Sequence, residues 1–279
     1  MADVTVRSSA LKRIVKAWAR RGFAAACRAT SGRSSPAPSP GVRILTYHRV
    51  VDDVTDPFAV APGEFARQLK LLASLRIVRP MSTTRDSLTR PGAAQPLLVL
   101  TFDDGTRDFL ENAWPVLDNL ALPAVVYVNP SRVGTPGFLN WPELRELSRR
   151  GVGIESHGME HCSLGRLERP EVRRQLVDSK MVLEDQLGKP VSSFAYPFGT
   201  LRDFNHTTRE EIHSAGYRTA CTSMNGINDS ETNPLELHRT KIEQGDGPIF
   251  SWILAGCLDR WEWIDRNFSM LQNRYLAGK

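Results

Sequence analysis

Seven short runs rich in apolar and β-branched residues punctuate this sequence, and segments of helical period separate them. The runs are Arg43–Tyr47, Leu97–Phe102, Ala124–Val128, Val152–Glu155, Ser192–Tyr196, Tyr217–Thr222 and Leu237–Ile242. Between them, Pro62–Leu75 carries Phe65, Leu69 and Leu72 at helical spacing. Arg107–Leu120 reads as a helix kinked at Pro115. Trp141–Arg150, Arg169–Leu187, Thr208–Ala215 and Pro248–Cys257 supply the remaining helices, with Gly151, Gly188 and Gly216 as stops. Apolar strands alternating with helices predict parallel strands buried on both faces. The predicted fold is therefore α/β, a distorted TIM-like β/α barrel of about seven strands, closed or nearly so. There is no internal repeat.

Composition narrows the classes. Hydrophobic residues at 41% and charged residues at 24% exclude a mainly disordered or fibrous chain. No stretch approaches the roughly 18 apolar residues of a membrane span. The four cysteines, Cys27, Cys162, Cys221 and Cys257, form no CxxC pair and read as free, mostly buried thiols. The net charge of +5 is unevenly placed: residues 1–40 carry +7, which leaves the other 239 residues at −2. The body is thus not read as a nucleic-acid surface.

Two parts are expected, a leader and Ser/Pro linker over 1–40 and a catalytic domain over 41–279. On a helical wheel Leu11, Ile14, Val15, Trp18, Gly22, Ala25 and Ala26 share one arc, with Lys12, Arg13, Lys16, Arg20 and Arg21 on the other. This N-terminal basic amphipathic helix has three readings: peripheral membrane contact through residues 8–28, an extension that is solvated or packed on its own barrel, and a targeting signal. The last is disfavoured by the longest apolar run, Phe23–Cys27, which is short for a secretory core. The expected location is cytoplasmic, with the inner membrane face as the alternative.

Chemistry-bearing residues cluster at the ends of different predicted strands: His48, Asp103, Asp104, His157 and the Tyr196–Gly199 turn. In a β/α barrel these ends share one face. Two adjacent carboxylates are costly to ionise together in a half-buried pocket unless a cation is present, when one can bind it and the other serve as base. His157 and His161, four apart, can reach one metal. The two motifs together make an Asp/His/His set with open positions, the layout of a catalytic rather than a structural site. Glu160 is misplaced for a His-Glu-x-x-His protease. Asp108 and Glu111 read as helix-face charges. His206 and His213 read as exposed. Trp141, Phe198, Trp252, Trp261 and Trp263 read as core first and sugar platforms second.

With these motifs on the page, the chain resembles the polysaccharide deacetylases, the NodB-homology group of carbohydrate esterase family 4. The matching segments are LTFDDG (Leu100–Gly105), SHGMEHCSL (Ser156–Leu164), FAYPFG (Phe194–Gly199) and, less strictly, LHRTKI (Leu237–Ile242), collinear over roughly 43–255. Tyr47-His48-Arg49 and the YPFG turn look most like the poly-N-acetylglucosamine deacetylase subgroup. The resemblance implies a NodB-homology barrel and metal-dependent removal of N-acetyl groups from N-acetylhexosamine units of an exopolysaccharide or cell-surface glycan, releasing acetate. The alternatives are action on a lipid-linked or small sugar precursor, and a non-catalytic glycan-binding protein.

The resemblance also implies roles. Asp103 would be the general base. Asp104, His157 and His161 would hold a divalent metal, with Zn2+ the best match to those ligands. His48 would be the general acid in preference to His238. Tyr196, Pro197, Phe198 and Arg239 would bind substrate. The family's arginine that orients the base is missing from the FAYPFG segment, and Arg239 is the candidate to replace it. The implied partner is an N-acetylated glycan; oligomeric state is not legible.

Overall fold

The computed structural model describes residues 17–30, 38–53, 56–89, 96–261 and 263–264. Leu11, Ile14, Val15, Lys12, Arg13, Lys16 and most of the Ser/Pro linker lie outside the described residues. The elements run in chain order as α1 (17–30), β1 (Gly41–Tyr47), α2 (Pro62–Leu75), α3 (Thr84–Thr89), β2 (Pro96–Phe102), α4 (Trp114–Asn119), β3 (Val125–Val128), α5 (Trp141–Arg149), β4 (Gly153–Ser156), α6 (Arg169–Leu187), β5 (Ser193–Ala195), α7 (His206–Ser214), β6 (Thr219–Cys221), β7 (Thr240–Lys241) and α8 (Phe250–Leu254). The seven strands form one parallel sheet in the order β6-β5-β4-β3-β2-β1-β7. It curls into a half-barrel with helices, the distorted β/α barrel expected.

Residues alternate between two buried clusters along each strand, as period-2 geometry requires. Leu45, Tyr47, Leu98, Leu100, Phe102, Val126, Val128, Phe194 and Tyr196 join the large cluster with Phe65, Leu69, Leu176 and other helix residues. Val42, Ile44, Val99, Val125, Tyr127, Ala195, Cys221 and Leu237 form the smaller one, inside the curl. Met81 and Leu88 of the α3 region belong to this inner cluster and close its floor. The sequence reading had no counterpart of α3.

The last strand differs from expectation. Only Thr240 and Lys241 pair with β1, at Leu45 and Thr46. The residues before them lean the other way, since Leu237 bridges in parallel to Cys221 of β6. The segment 237–241 therefore spans the gap between the two ends of the sheet. The predicted helix 107–120 also resolves into two parts. Phe109–Ala113 is a π-turn, and α4 follows it. Pro115 has no N–H to give, and the wider turn just before it absorbs the missing hydrogen bond.

Helix α1 packs against the barrel. Ala24 is fully buried, and Phe23 meets Trp261 edge-on at 5.4 Å between centroids. Arg20 is buried and forks onto Asp246, with Nε–Oδ1 3.1 Å and Nη2–Oδ2 2.7 Å. Arg21 donates to the Gly245 carbonyl. Part of the basic arc therefore faces the protein, while Trp18, Gly22, Ala25 and Ala26 face out, Trp18 at 68% exposure. Of the three readings of this helix, packing on its own barrel is the one these contacts match. No helix among the described residues is long and apolar enough to cross a membrane.

Candidate active site

Register brings the first pair of site residues level. β1 and β2 pair in step from Gly41↔Pro96 to Tyr47↔Phe102, so His48 and Asp103 leave their strands side by side. Asp103 N–H donates to the Tyr47 carbonyl. Alternation then aims the side chains. Counting from Ile44, Val99 and Val125, residues 48 and 103 turn inward, as does 239 counted from Leu237. Asp104 would point outward by the same count. Its backbone prevents this, with φ +72° at Asp104 followed by φ +69° at Gly105. Left-handed backbone at a non-glycine residue is uncommon and costs about 1–2 kcal/mol. Here it swings the second carboxylate around to the mouth of the barrel. Gly105 fits because a Cβ there would sit 3.2 Å from Val128 Cγ2.

Asp104, His157 and His161 converge, with ligand-type atoms all within 4.8 Å of one another. Asp104 Oδ1 lies 3.8 Å from His157 Nε2 and 3.5 Å from His161 Nε2. That oxygen is buried and has no hydrogen-bond partner among the described residues. His157 Nδ1 is 2.7 Å from the Ala195 carbonyl. A carbonyl only accepts, so Nδ1 donates and Nε2 is the nitrogen turned towards Asp104. Burial, reinforced by the neighbouring His157, pushes the His161 pKa down to about 4 and keeps that ring neutral at ordinary pH. A buried carboxylate oxygen with no donor among the described residues, facing the Nε2 atoms of two imidazoles, suits a divalent cation of borderline softness. The tautomer lock on His157 is the kind of outer support that metal-binding histidines have.

Asn129, at the end of β3, holds the histidine loop by donating to the carbonyls of His157 and Gly158. The sequence marked Asn129 only as a strand end. Phe198 stands edge-on to His161 at 4.5 Å, partly exposed and with φ +61°. Cys162 does not join the converging group of Asp104, His157 and His161, and burial raises its thiol pKa to about 11.

Asp103 has a different setting. It is 3% exposed, and Arg239, fully buried, grips it with two 2.8 Å hydrogen bonds, Nη1–Oδ1 and Nη2–Oδ2. Burial alone would raise the carboxyl pKa, but the guanidinium, with His157 and His48 beyond it, holds it well below the usual carboxylate range. His48 Nε2 approaches Asp103 Oδ2 to 3.9 Å, and its ring stacks on Phe58 at 5.0 Å. Burial lowers the His48 pKa, opposed by the charge of Asp103.

Several expected substrate contacts are corrected by these positions. Arg239 is sealed from solvent and grips Asp103, which is where an arginine replacing the one missing from FAYPFG would be, and it is not open to a ligand. Tyr196 falls on the outer face, fully buried, with its hydroxyl donating to the Leu235 carbonyl. Pro197 is also buried; of the expected set only Phe198 is open. His238 alternates away from Arg239, and its ring meets the Asn225 carbonyl at 3.3 Å. Asp108, expected to be an exposed helix-face charge, is 5% exposed and binds Arg49 and the Val50 N–H. Glu111, His206 and His213 are exposed as expected. Trp261 is core, Trp252 and Trp141 are half-buried, and Trp263 is 64% exposed.

Comparison with known proteins follows the same outline. Residues 91–220 match the family described as polysaccharide deacetylase. YxkH of Bacillus subtilis, a provisionally named polysaccharide deacetylase, is 24% identical over 204 residues, covering 72% of this chain and 71% of the relative. The poly-beta-1,6-N-acetyl-D-glucosamine N-deacetylase of Staphylococcus aureus is 26% identical over 118 residues, 37% of this chain and 41% of the relative. Among solved structures, the Streptococcus pyogenes deacetylase PplD, in complex with acetate, superposes with a TM-score of 0.68 at 24% identity, over 74% of this chain and 94% of that one.

Proposed function

We propose that the polysaccharide deacetylase domain this chain carries removes acetyl groups from N-acetylhexosamine units of a glycan, using a divalent cation held by Asp104, His157 and His161. Enzymes of this family are hydrolases of amide bonds, and this chain is one of them. The observation that carries the metal-dependent reading is the buried Asp104 Oδ1, with no donor among the described residues, facing the Nε2 atoms of both histidines. When bound, such a cation lowers the pKa of water to about 7 and polarises a carbonyl oxygen.

The chain's own residues supply the rest. Asp103, ionised and fixed by the Arg239 fork, accepts the proton of the attacking water. A strongly acidic carboxyl is a weak base, which fits a water already acidified. The amide nitrogen cannot leave as an anion, so it must be protonated, and His48 is the group on the opposite side of Asp103 that can do it. Phe198 and Phe58, one beside each histidine, offer apolar ring faces at the two sides of the site. The Staphylococcus aureus relative's named substrate supports a β-1,6-linked N-acetylglucosamine polymer as the glycan, and zinc is the proposed ion. We read the outward apolar face of α1, in a segment of net charge +7, as a peripheral contact with the anionic inner face of a cytoplasmic membrane.

The test is acetate release from N-acetylglucosamine oligomers by the purified, zinc-loaded protein. Asp103→Asn should lower kcat by about 10²–10⁴-fold while zinc stays bound. Full turnover by that variant would remove Asp103 from the role of base.

A further inference from the structure

We infer that Asp108 is a positioning residue, which sets the place of the His48 imidazole through the main chain; this rests on the deacetylase reading of the site. The His48 ring has few holds of its own. Its Nδ1 is buried and makes no hydrogen bond among the described residues. Its Nε2, 3.9 Å from Asp103 Oδ2, is beyond hydrogen-bond distance. Its ring contact is the stack on Phe58, which is not directional at the nitrogens. His157, by contrast, is locked by the Ala195 carbonyl. A ring without a directional bond goes where its backbone puts it.

That backbone is clamped. Thr106 Oγ1 donates to the His48 carbonyl at 3.5 Å. Arg49 Nε donates to Asp108 Oδ1, and Val50 N–H to Oδ2, both at 2.7 Å. Asn112 Nδ2 donates to the Val50 carbonyl at 2.8 Å. Three of these holds run through Asp108 and Asn112, just after Asp103-Asp104-Gly105, and a fifth, from the Val60 N–H to the Arg49 carbonyl at 2.9 Å, comes from the chain beyond β1. Asp108 occupies the N-cap position of the π-turn Phe109–Ala113 but makes no capping bond there. An aspartate at a helix start ordinarily satisfies its own helix's free N–H groups. This one is turned across to the 48–50 segment instead, as a buried, charge-assisted clamp. The base, the metal-ligating carboxylate and the anchor of the acid are thus carried on one short stretch of chain. The backbone at residue 48 is thus tied to the Asp103 stretch from both sides, by the Asp103 N–H on the Tyr47 carbonyl before it and by Asp108 after it.

A proton donor must come within about 2.6–3.2 Å of its acceptor, and a misplacement of about 1 Å can cost on the order of 100-fold in rate. Asp108→Asn keeps the shape and removes the charge. With zinc-loaded protein and N-acetylglucosamine oligomers, this variant should lose about 10- to 100-fold in kcat, with KM and zinc content at wild-type values. In a His48→Ala background the same substitution should cost less than about two-fold, because residues acting through one another are not additive. Equal losses in both backgrounds would make Asp108 a fold-supporting residue only and overturn the proposal. Histidine NMR of the same proteins decides the matter without turnover. Asp108→Asn should move the His48 ring resonances and leave those of His157 and His161 in place; an unmoved His48 overturns the clamp. Asn112→Ala, which removes a neighbouring hold on Val50, should give the same pattern more weakly and serves if Asp108→Asn does not fold. Full turnover by His48→Ala would instead overturn the role of His48 in the reaction, leaving the NMR result to judge the clamp.

Discussion

Replacing Arg239 by methionine tests the centre of the site with an effect large enough to measure cleanly. Arg239 is fully buried, Asp103 is 3% exposed, and two 2.8 Å hydrogen bonds join them. The variant keeps the side chain's bulk and strands a buried carboxylate. Breaking a buried pair from one side costs about 3–5 kcal/mol. For a chain of this size each kcal/mol shifts Tm by about 2–4 °C, so a fall of roughly 6–20 °C is expected. The pH dependence gives the sharper signature. In the native protein the folded pKa of Asp103 is depressed below 3.8, so the pair's contribution is fully present above that value and is lost only as pH falls through the folded pKa. Without Arg239, burial is opposed only by the weaker pull of His157 and His48, and the folded pKa rises above the unfolded one. The destabilisation must then be largest at pH 8 and shrink towards pH 5, as Asp103 takes up a proton. Adding Asp103→Asn should relieve much of it, because no charge is left stranded. The assay is urea unfolding of the four proteins of this cycle at pH 5, 6.5 and 8. A penalty that does not change with pH, or that Asp103→Asn leaves untouched, would refute the reasoning.

Metal removal and a remote carboxylate supply the other expectations. His161→Ala and Asp104→Ala should each lose the single zinc equivalent measured by equilibrium dialysis, and zinc at about 100 times its Kd should stabilise the wild-type protein by about 2.7 kcal/mol but not these variants. Glu155 accepts the N–H groups of Ser192 and Ser193, yet burial pushes its pKa up to about 7 from 4.5. A raised folded pKa means stability that is present below pH 4.5 and lost as pH climbs through 7. The unfolding free energy of the wild type should therefore fall relative to Glu155→Gln over that window, by up to about 1.4 kcal/mol per pH unit. Parallel curves for the two proteins would rule this out.

Local chemistry was legible in the sequence; facing was not. The bounds of α2 and α6 coincide with their sequence expectation, because a proline in the first turn and a left-handed cap at Arg76 or Gly188 punctuate them. The convergence of Asp104, His157 and His161 was readable because Asp104 and His157 lie just past strand ends and His161 is four residues further on. Tyr196 and Arg239 show the limit. Both sit beside site residues in sequence, and a shift of one position decides whether a strand residue faces the barrel interior or the helices. That parity depends on pairing between β1 and β7, whose partners Leu45 and Thr240 are nearly two hundred residues apart. Asp108 was misread for a related reason. Its partners, Arg49 and Val50, come from another strand end, and nothing in its own helix reveals them.

The bridging course of residues 237–241 ties the order of synthesis to competence. Asp103 is translated 136 residues ahead of Arg239. Until the ribosome has delivered that guanidinium, the nascent half-barrel holds an acid it has no means to neutralise, and its first and sixth strands remain unjoined. One segment thus both bridges the two ends of the sheet and supplies the guanidinium that holds Asp103. A chain cut short before residue 239 would keep Asp104, His157 and His161 and lack the partner that grips Asp103.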